Sequence, residues 1–318
     1  MVNHIEGSML DKKDLILKEI DGFKLYVDKK DSGISQTLMK PKYFKKWHRE
    51  PEFMDIIESE VNEGDVAFDL GANIGYVTMY LAKYVGDKGM VYAVEPSPRN
   101  FQILNESILV NGLEKRVEIN QLAISSQSGT RELNISDESN LNSFVKTKYT
   151  KSTITVKTSS IDDFFKKKKF PNFIKMDIEG AEVDALAGID KILENNSRMK
   201  ILMEIHPMYY DGDAFSKQLI RLFNKGFKTK YLVSAGNARP DYFISNGYKP
   251  EKVYVTGDFS RGLYVNVKEE HVIESCSNLF PNQTTTLGYL PILKRPYRIF
   301  NRTLPSPKIV RAIMLQRN

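Results

Sequence analysis

Between about Glu63 and Val267 the chain alternates short apolar runs with stretches of helical period, the pattern of crossover units that build a parallel sheet. The run Asp65-Val66-Ala67-Phe68-Asp69-Leu70 reads as a buried strand, Gly71-Ala72-Asn73-Ile74-Gly75 as a tight turn, and Tyr76 to Val85 as a helix stopped at Gly86. Met90 to Glu95 gives a second strand. Ser97 and Pro98 then supply the N-cap and first position of a helix whose face is Phe101, Leu104 and Ile108 and whose end is Gly112. Val117 to Ala123 is a third strand, Phe173 to Ile178 a fourth and Lys200 to Ile205 a fifth, with further candidates at Lys228 to Val233 and Gly262 to Val267. The segment from Gly129 to Thr158 alternates polar and apolar residues without helical period, so a strand-rich insertion is expected there. The expected fold is α/β, a seven-stranded and mostly parallel sheet flanked by helices. A helical N-terminal cap segment (1–62) precedes the main domain (63–270), and a basic C-terminal extension (271–318) follows it.

Composition narrows the picture. A chain of 318 residues, 41% hydrophobic and 27% charged, can bury a real core, and its one cysteine, Cys276, excludes a disulfide framework or a multi-cysteine zinc site. No apolar run reaches the roughly 20 residues of a membrane helix, and the first residues lack the basic start and apolar core of a signal peptide, so a cytoplasmic location is expected. The net charge of +6 is local. From Ser275 onward there is no Asp or Glu and there are seven of the 46 basic residues, which leaves 39 basic against 40 acidic residues elsewhere.

Polar residues gather where the strands end, which in an open α/β sheet is where ligands sit. Asp69 closes the first strand, Glu95 the second, Asp177 and Glu179 the fourth, and Glu204 and His206 the fifth. A glycine turn followed by an acid at the end of the next strand suits a nucleoside whose ribose hydroxyls the carboxylate holds. Asn73 crowds the path a dinucleotide pyrophosphate needs, and Asp69 suits a cationic group better than a phosphate. S-adenosylmethionine, with a sulfonium, an ammonium and no phosphate, answers both points.

The motifs Asp69-Leu70-Gly71-Ala72-Asn73-Ile74-Gly75, Glu95-Pro96 and Ile174-Lys175-Met176-Asp177-Ile178-Glu179-Gly180-Ala181-Glu182 together resemble the FkbM family of S-adenosylmethionine-dependent methyltransferases. The resemblance runs from about Gly22 to Pro207. It implies a class I Rossmann-like methyltransferase fold and methyl transfer to oxygen, often on a sugar hydroxyl. Carried over by position, Gly71, Asn73 and Gly75, with Asp69, would face the methionyl part of the cofactor and Glu95 its ribose. Upstream, Trp47-His48-Arg49-Glu50-Pro51 is similar to a family segment that usually shows an aromatic directly before Glu-Pro, with Arg49 in that place here.

Methyl transfer needs the acceptor oxygen held in line with the methyl–sulfur bond and a base for its proton. Asp177, Glu179 and His206 are the candidates. Asp177, Glu179 and Glu204 could also offer oxygen ligands to a divalent metal, though nothing in the spacing demands one. Ser139, Asn140, Asn142 and Ser143, in the insertion, suit a polar rim for a glycan or glycoconjugate acceptor. A nucleic-acid or protein methyltransferase, or a non-catalytic nucleoside-binding subunit, is the alternative, and no Asn/Asp-Pro-Pro-Tyr/Phe motif follows the fourth strand to support base methylation. In the tail, a short helix after Pro305 would set Ile309, Val310, Ile313 and Met314 on one side and Arg311 and Arg317 towards the other. That face either docks on the catalytic domain or, with Tyr289, Tyr297 and Phe300 among Lys294, Arg295, Arg298 and Arg302, touches an anionic membrane.

Overall fold

The computed structural model describes residues 12–39, 49–196, 198–256, 259–280 and 308–317. Among its described residues the N-terminal segment holds an antiparallel hairpin, β1 (Leu15–Ile20) and β2 (Phe23–Asp28), before helices Ile34–Met39 and Pro51–Glu60, so strands accompany the expected helices. β3 (Val66–Leu70), helix Tyr76–Val85, β4 (Met90–Val94), helix Pro98–Val110 and β5 (Val117–Asn120) form the first crossovers. The insertion is a small sheet of β6 (Ala123–Ile124), β7 (Gly129–Ser136) and β8 (Thr150–Ser159), in which β7 and β8 form an antiparallel ribbon. The expected third strand thus divides: its first half stays in the main sheet and its last residues join the insertion.

β9 (Phe173–Met176), β10 (Lys200–Glu204) and β11 (Phe227–Ser234) follow, then the hairpin β12 (Lys252–Thr256) and β13 (Phe259–Tyr264), helix Glu269–Ser277 and β14 (Val310–Arg317). Among the described residues nine strands make one sheet, in the order β12-β13-β11-β14-β10-β9-β3-β4-β5. The five strands from β5 to β10 are mutually parallel, and β14 runs antiparallel to both β10 and β11. The sheet therefore has the expected seven-stranded, mostly parallel body, extended by the β12–β13 hairpin at one edge. This is the α/β Rossmann-like fold.

The seventh strand of that body is not the run near Gly262 but Val310–Arg317, from the basic tail. The expected tail helix is a strand, and the reason lies in its sequence. Ala312-Ile313-Met314-Leu315 is a continuous apolar run, which suits a strand covered on both faces better than a helix with one wet side. All four are fully buried. Of the seven tail cations, Lys308, Arg311 and Arg317 turn inward to protein partners, while Lys294, Arg295, Arg298 and Arg302 and the aromatics between them lie outside the described residues.

Strand alternation sends successive residues to opposite faces, and two apolar layers result. Phe68, Ile174, Ile201, Ile313 and Leu232 pack on one side with helices 182–187 and 212–224. Ala67, Phe173, Leu202, Met314 and Val233 pack on the other with helices 51–60 and 76–85. Among the described residues no helix is long and apolar enough to cross a membrane. Ile313 lies between Met203 and Leu232 in the middle of the sheet, so Ile313→Ala should lower stability by about 2–5 kcal/mol in urea denaturation. A loss below about 1 kcal/mol would contradict this central placement.

Candidate active site

The first crossover builds one wall of a cleft at the carboxyl ends of the strands. Gly71 is left-handed (φ 76°), and a Cβ there would lie 2.0 Å from the carbonyl oxygen of Asp177, so the turn tolerates no side chain at this point. Asn73 is also left-handed (φ 50°), and its side-chain oxygen accepts from the Ile74 N–H at 2.8 Å. The Asn73 N–H donates to Glu95 Oε2 at 2.8 Å, and the Ser97 N–H to Glu95 Oε1 at 2.9 Å. The amides that a pyrophosphate would claim are therefore taken by an amide side chain and a carboxylate. Glu95 is 4% exposed, and burial pushes its carboxyl up to about 7 against the pull of the Ser97 and Asn73 amides. Val94, Pro96, Leu122 and Ile124 make an apolar wall beside it, a surface suited to a nucleoside base with Glu95 for its sugar.

The structure separates the sequence-predicted binding residues. Gly71, Asn73 and Glu95 line the cleft, whereas Asp69 and Gly75 do not. Gly75 instead packs on Leu104, whose Cδ1 would lie 2.7 Å from an added Cβ. Asp69 is fully buried, accepts from Thr78 Oγ1 at 2.6 Å and pairs with Lys175 Nζ at 3.1 Å. Lys175 also donates to the Gly71 carbonyl at 2.9 Å. Burial works against the lysine cation, but Asp69 and Asp177 outweigh it and hold its pKa above the ordinary value. The cation that suits Asp69 is thus an internal one, and the pair braces the turn from below. Lys175 thus braces the site from within the Ile174–Glu182 motif. Its signal is a single cation in the otherwise apolar run Phe173–Met176, in register with Asp69 on the neighbouring strand.

The acids at the strand ends do converge. Asp177 and Glu179 line the cleft, with side chains 30% and 17% exposed. Glu179 takes a left-handed backbone (φ 47°), and its carbonyl accepts from Ser143 Oγ of the insertion at 2.6 Å. His206 lies behind them, 4% exposed and not a lining residue. Its Nδ1 is 2.8 Å from Glu182 Oε1, and its Nε2 is 3.5 Å from Glu204, 3.6 Å from Glu179 and 3.9 Å from Asp177. Burial disfavours the imidazolium, but Glu179 and Glu182 outweigh it and hold its pKa well above the usual histidine value.

Burial also acts against the Glu204 anion, yet Arg311, Lys308 and His206 outweigh it and hold that carboxyl well below its ordinary range. Burial and the Glu204 charge raise Asp177. Burial raises Glu179 to about 8, with Asp177 and Glu204 adding to it and His206 opposing. One acid is thus fixed as an anion, Glu179 beside it holds its proton into the neutral range, and Asp177 is displaced upward from the ordinary carboxyl range.

Two further groups were not visible as site residues in the sequence. Arg311, on β14, reaches Glu50 at 2.8 Å, Glu52 at 3.0 Å and Glu204 at 3.0 Å, and Arg261 also pairs with Glu52. Asp31 accepts from the N–H and Oγ of Ser139, and the Ser139 carbonyl accepts from Asn73 Nδ2 at 3.2 Å. The N-terminal segment thereby ties the insertion over the glycine turn, and Ser139, Asn140, Asn142 and Ser143 all border the cleft. Trp47 and His48 lie outside the described residues. Ligand atoms of Asp177, Glu179 and His206 fall within 4.8 Å of one another, close enough for a cation to bridge, but His206, Lys308 and Arg311 already supply positive charge to this cluster.

Glu95 gives a stability test. Its folded pKa of about 7 exceeds the ordinary carboxyl value near 4.5, so the folded state holds the extra proton and stability falls as pH rises between those values. Glu95→Gln removes that term. Relative to the parent, the variant should gain stability from pH 5 to pH 8 in denaturant titrations, and a difference independent of pH would show that Glu95 is not held protonated.

Comparison with known proteins bears on the family. The methyltransferase FkbM domain model matches residues 69–229. The chain is 30% identical over 159 residues to the hexuronic acid methyltransferase AglP of Haloferax volcanii, a match covering 49% of this chain and 62% of that protein. It is 43% identical over 58 residues to the tRNA(Phe) (4-demethylwyosine(37)-C(7)) aminocarboxypropyltransferase of Methanocaldococcus jannaschii, over 18% of this chain and 23% of the other. The match therefore spans less than two thirds of either curated relative. Among solved structures, an FkbM methyltransferase from Methylobacillus flagellatus is similar at 21% identity and a TM-score of 0.33, over 44% of this chain and 32% of that one. With the family model matching half of the chain, over the glycine turn, Glu95 and the Asp177–Glu182 segment, the protein belongs to the FkbM methyltransferase family.

Proposed function

We propose that the protein is an S-adenosylmethionine-dependent O-methyltransferase whose acceptor is a sugar hydroxyl in a glycan or glycoconjugate. The observation that carries this reading is the placement of Asp177 and Glu179, with raised pKa values, in the same cleft as Glu95 and the Gly71 turn. The donor fits the residues present: a buried carboxylate for ribose hydroxyls, an apolar wall for a base, and turn amides closed to phosphate. When bound, it supplies an electrophilic methyl group on a sulfonium.

The chain's own residues then have distinct tasks. Asp177 or Glu179 takes the hydroxyl proton as the acceptor oxygen becomes nucleophilic, which suits carboxylates tuned towards neutral pH. His206, as an imidazolium, positions these acids rather than acting as the base, and Glu182 holds its Nδ1 side. The side-chain amides of Asn140 and Asn142, which border the cleft, offer hydrogen bonds at the scale of a sugar ring. The related hexuronic acid methyltransferase supports a carbohydrate acceptor.

Methyl-labelled donor with fractionated glycans and lipid-linked sugars tests the acceptor directly; label entering only RNA or protein would overturn it. Asp177→Asn should lower kcat by about 10² to 10⁴ while leaving affinity for S-adenosylhomocysteine nearly unchanged, as read by single-turnover kinetics and calorimetry. With Glu179 as the base, its carboxyl raised to about 8, kcat should fall as pH drops from 8 to 6; a profile flat to pH 5 would exclude Glu179 as the base.

A further inference from the structure

Three cations border the cleft among the described residues, Arg49, Lys175 and Arg311, and two of them are already engaged. Lys175 is 2% exposed, pairs with Asp69 and donates to the Leu70 and Gly71 carbonyls. Arg311 is shared among Glu50, Glu52 and Glu204. Arg49 differs. Its guanidinium has one charged neighbour among the described residues, Glu50 Oε1 at 3.4 Å, and that oxygen is already held by Arg311 at 2.8 Å. No hydrogen bond from its side chain to another described residue is formed, although the side chain is only 23% exposed and a guanidinium carries five N–H donors.

The backbone of Arg49 is nevertheless fixed. Its N–H donates to the Tyr76 hydroxyl at 3.1 Å, and that hydroxyl donates in turn to Asp21 at 2.9 Å. Tyr76 is the first residue of the helix that leaves the Gly71–Gly75 turn, so the Arg49 backbone is moored to that helix while its guanidinium reaches towards Glu50. A largely covered guanidinium with spare donors, at the border of a cleft that Asn73, Asp177 and Glu179 also line, is a receptor for a planar anion. Resting on the donor assignment made above, we infer that Arg49 binds the carboxylate at the methionyl end of the methyl donor. The ammonium of the same group then meets the acids of the cleft, and the zwitterion is matched by charges of both signs.

The test compares two ligands on the full chain. S-adenosylhomocysteine carries the amino-acid carboxylate, and 5′-methylthioadenosine keeps the nucleoside and thioether without it. Calorimetry on the parent should show the first bound more tightly. Arg49→Met should weaken S-adenosylhomocysteine about 10- to 100-fold and leave 5′-methylthioadenosine unchanged, which also shows that the variant is folded. Arg49→Lys, keeping charge without the fork, should fall between the two. An unchanged preference for the carboxylate-bearing ligand in Arg49→Met overturns the inference and releases Arg49 for an acidic acceptor. Equal weakening of both ligands overturns it too, marking Arg49 as structural. Failure of the parent chain to bind either ligand is a different result, because it removes the donor assignment on which the inference stands.

Discussion

Arg311 is the tie on which the site depends. Its guanidinium leaves the last described strand, enters the cleft floor and meets Glu204 from β10 together with Glu50 and Glu52 from the N-terminal segment. Three parts of the chain far apart in sequence thus share one charge. Burying three carboxylates near one another is costly unless cations compensate them, and here Arg311, Arg261 and Lys308 do so. The arrangement also constrains the backbone, for Glu50 sits in a left-handed conformation (φ 114°) that its ion pair helps to hold. Removing the guanidinium would leave Glu204 far less strongly stabilised as an anion and would loosen Glu50 from the cleft at the same time.

That compensation sets the division of labour among the acids. Glu204 has the cations and stays ionised; Asp177 and Glu179 have burial and a negative neighbour, and hold protons longer. The pattern is one of titratable groups in one cleft whose environments push their pKa values apart, the usual way a single site provides both fixed charge and a proton acceptor. A second buried pair, Asp69 with Lys175, braces the glycine turn that faces these acids. The two ion-paired layers lie under the cleft, and the groups with partly exposed side chains lie above them.

Much of this could be read from the sequence, and the failures have physical causes. The strand–turn–helix from Asp69 to Val85 and the position of Glu95 at the end of the next strand follow from local rules of buried runs, glycine turns and caps, so fold class and the cleft's first wall were legible. Asp69 was assigned to a ligand because its partner lies on another strand, about a hundred residues away, and register between strands is not written in either segment. His206 stood out as a base by residue type, whereas its charge depends on Glu179 and Glu182, whose approach only the folded backbone defines. The tail was misread because Ile309, Val310, Ile313 and Met314 satisfy a helical spacing as well as a strand. Tertiary packing between β10 and β11 decides the matter.

The position of β14 has a consequence for how the protein is made. β10 and β11 follow each other in the chain, but the sheet leaves a slot between them that residues 310–317 fill. During synthesis from the N-terminus, both flanking strands leave the ribosome with their inner edges unpaired, and about 75 more residues must be translated before the missing strand arrives. Over that interval the nascent chain exposes two apolar strand edges suited to pairing with another chain. Completion of the sheet therefore waits on a strand near the end of the chain, a delay set by topology rather than by the stability of the finished fold.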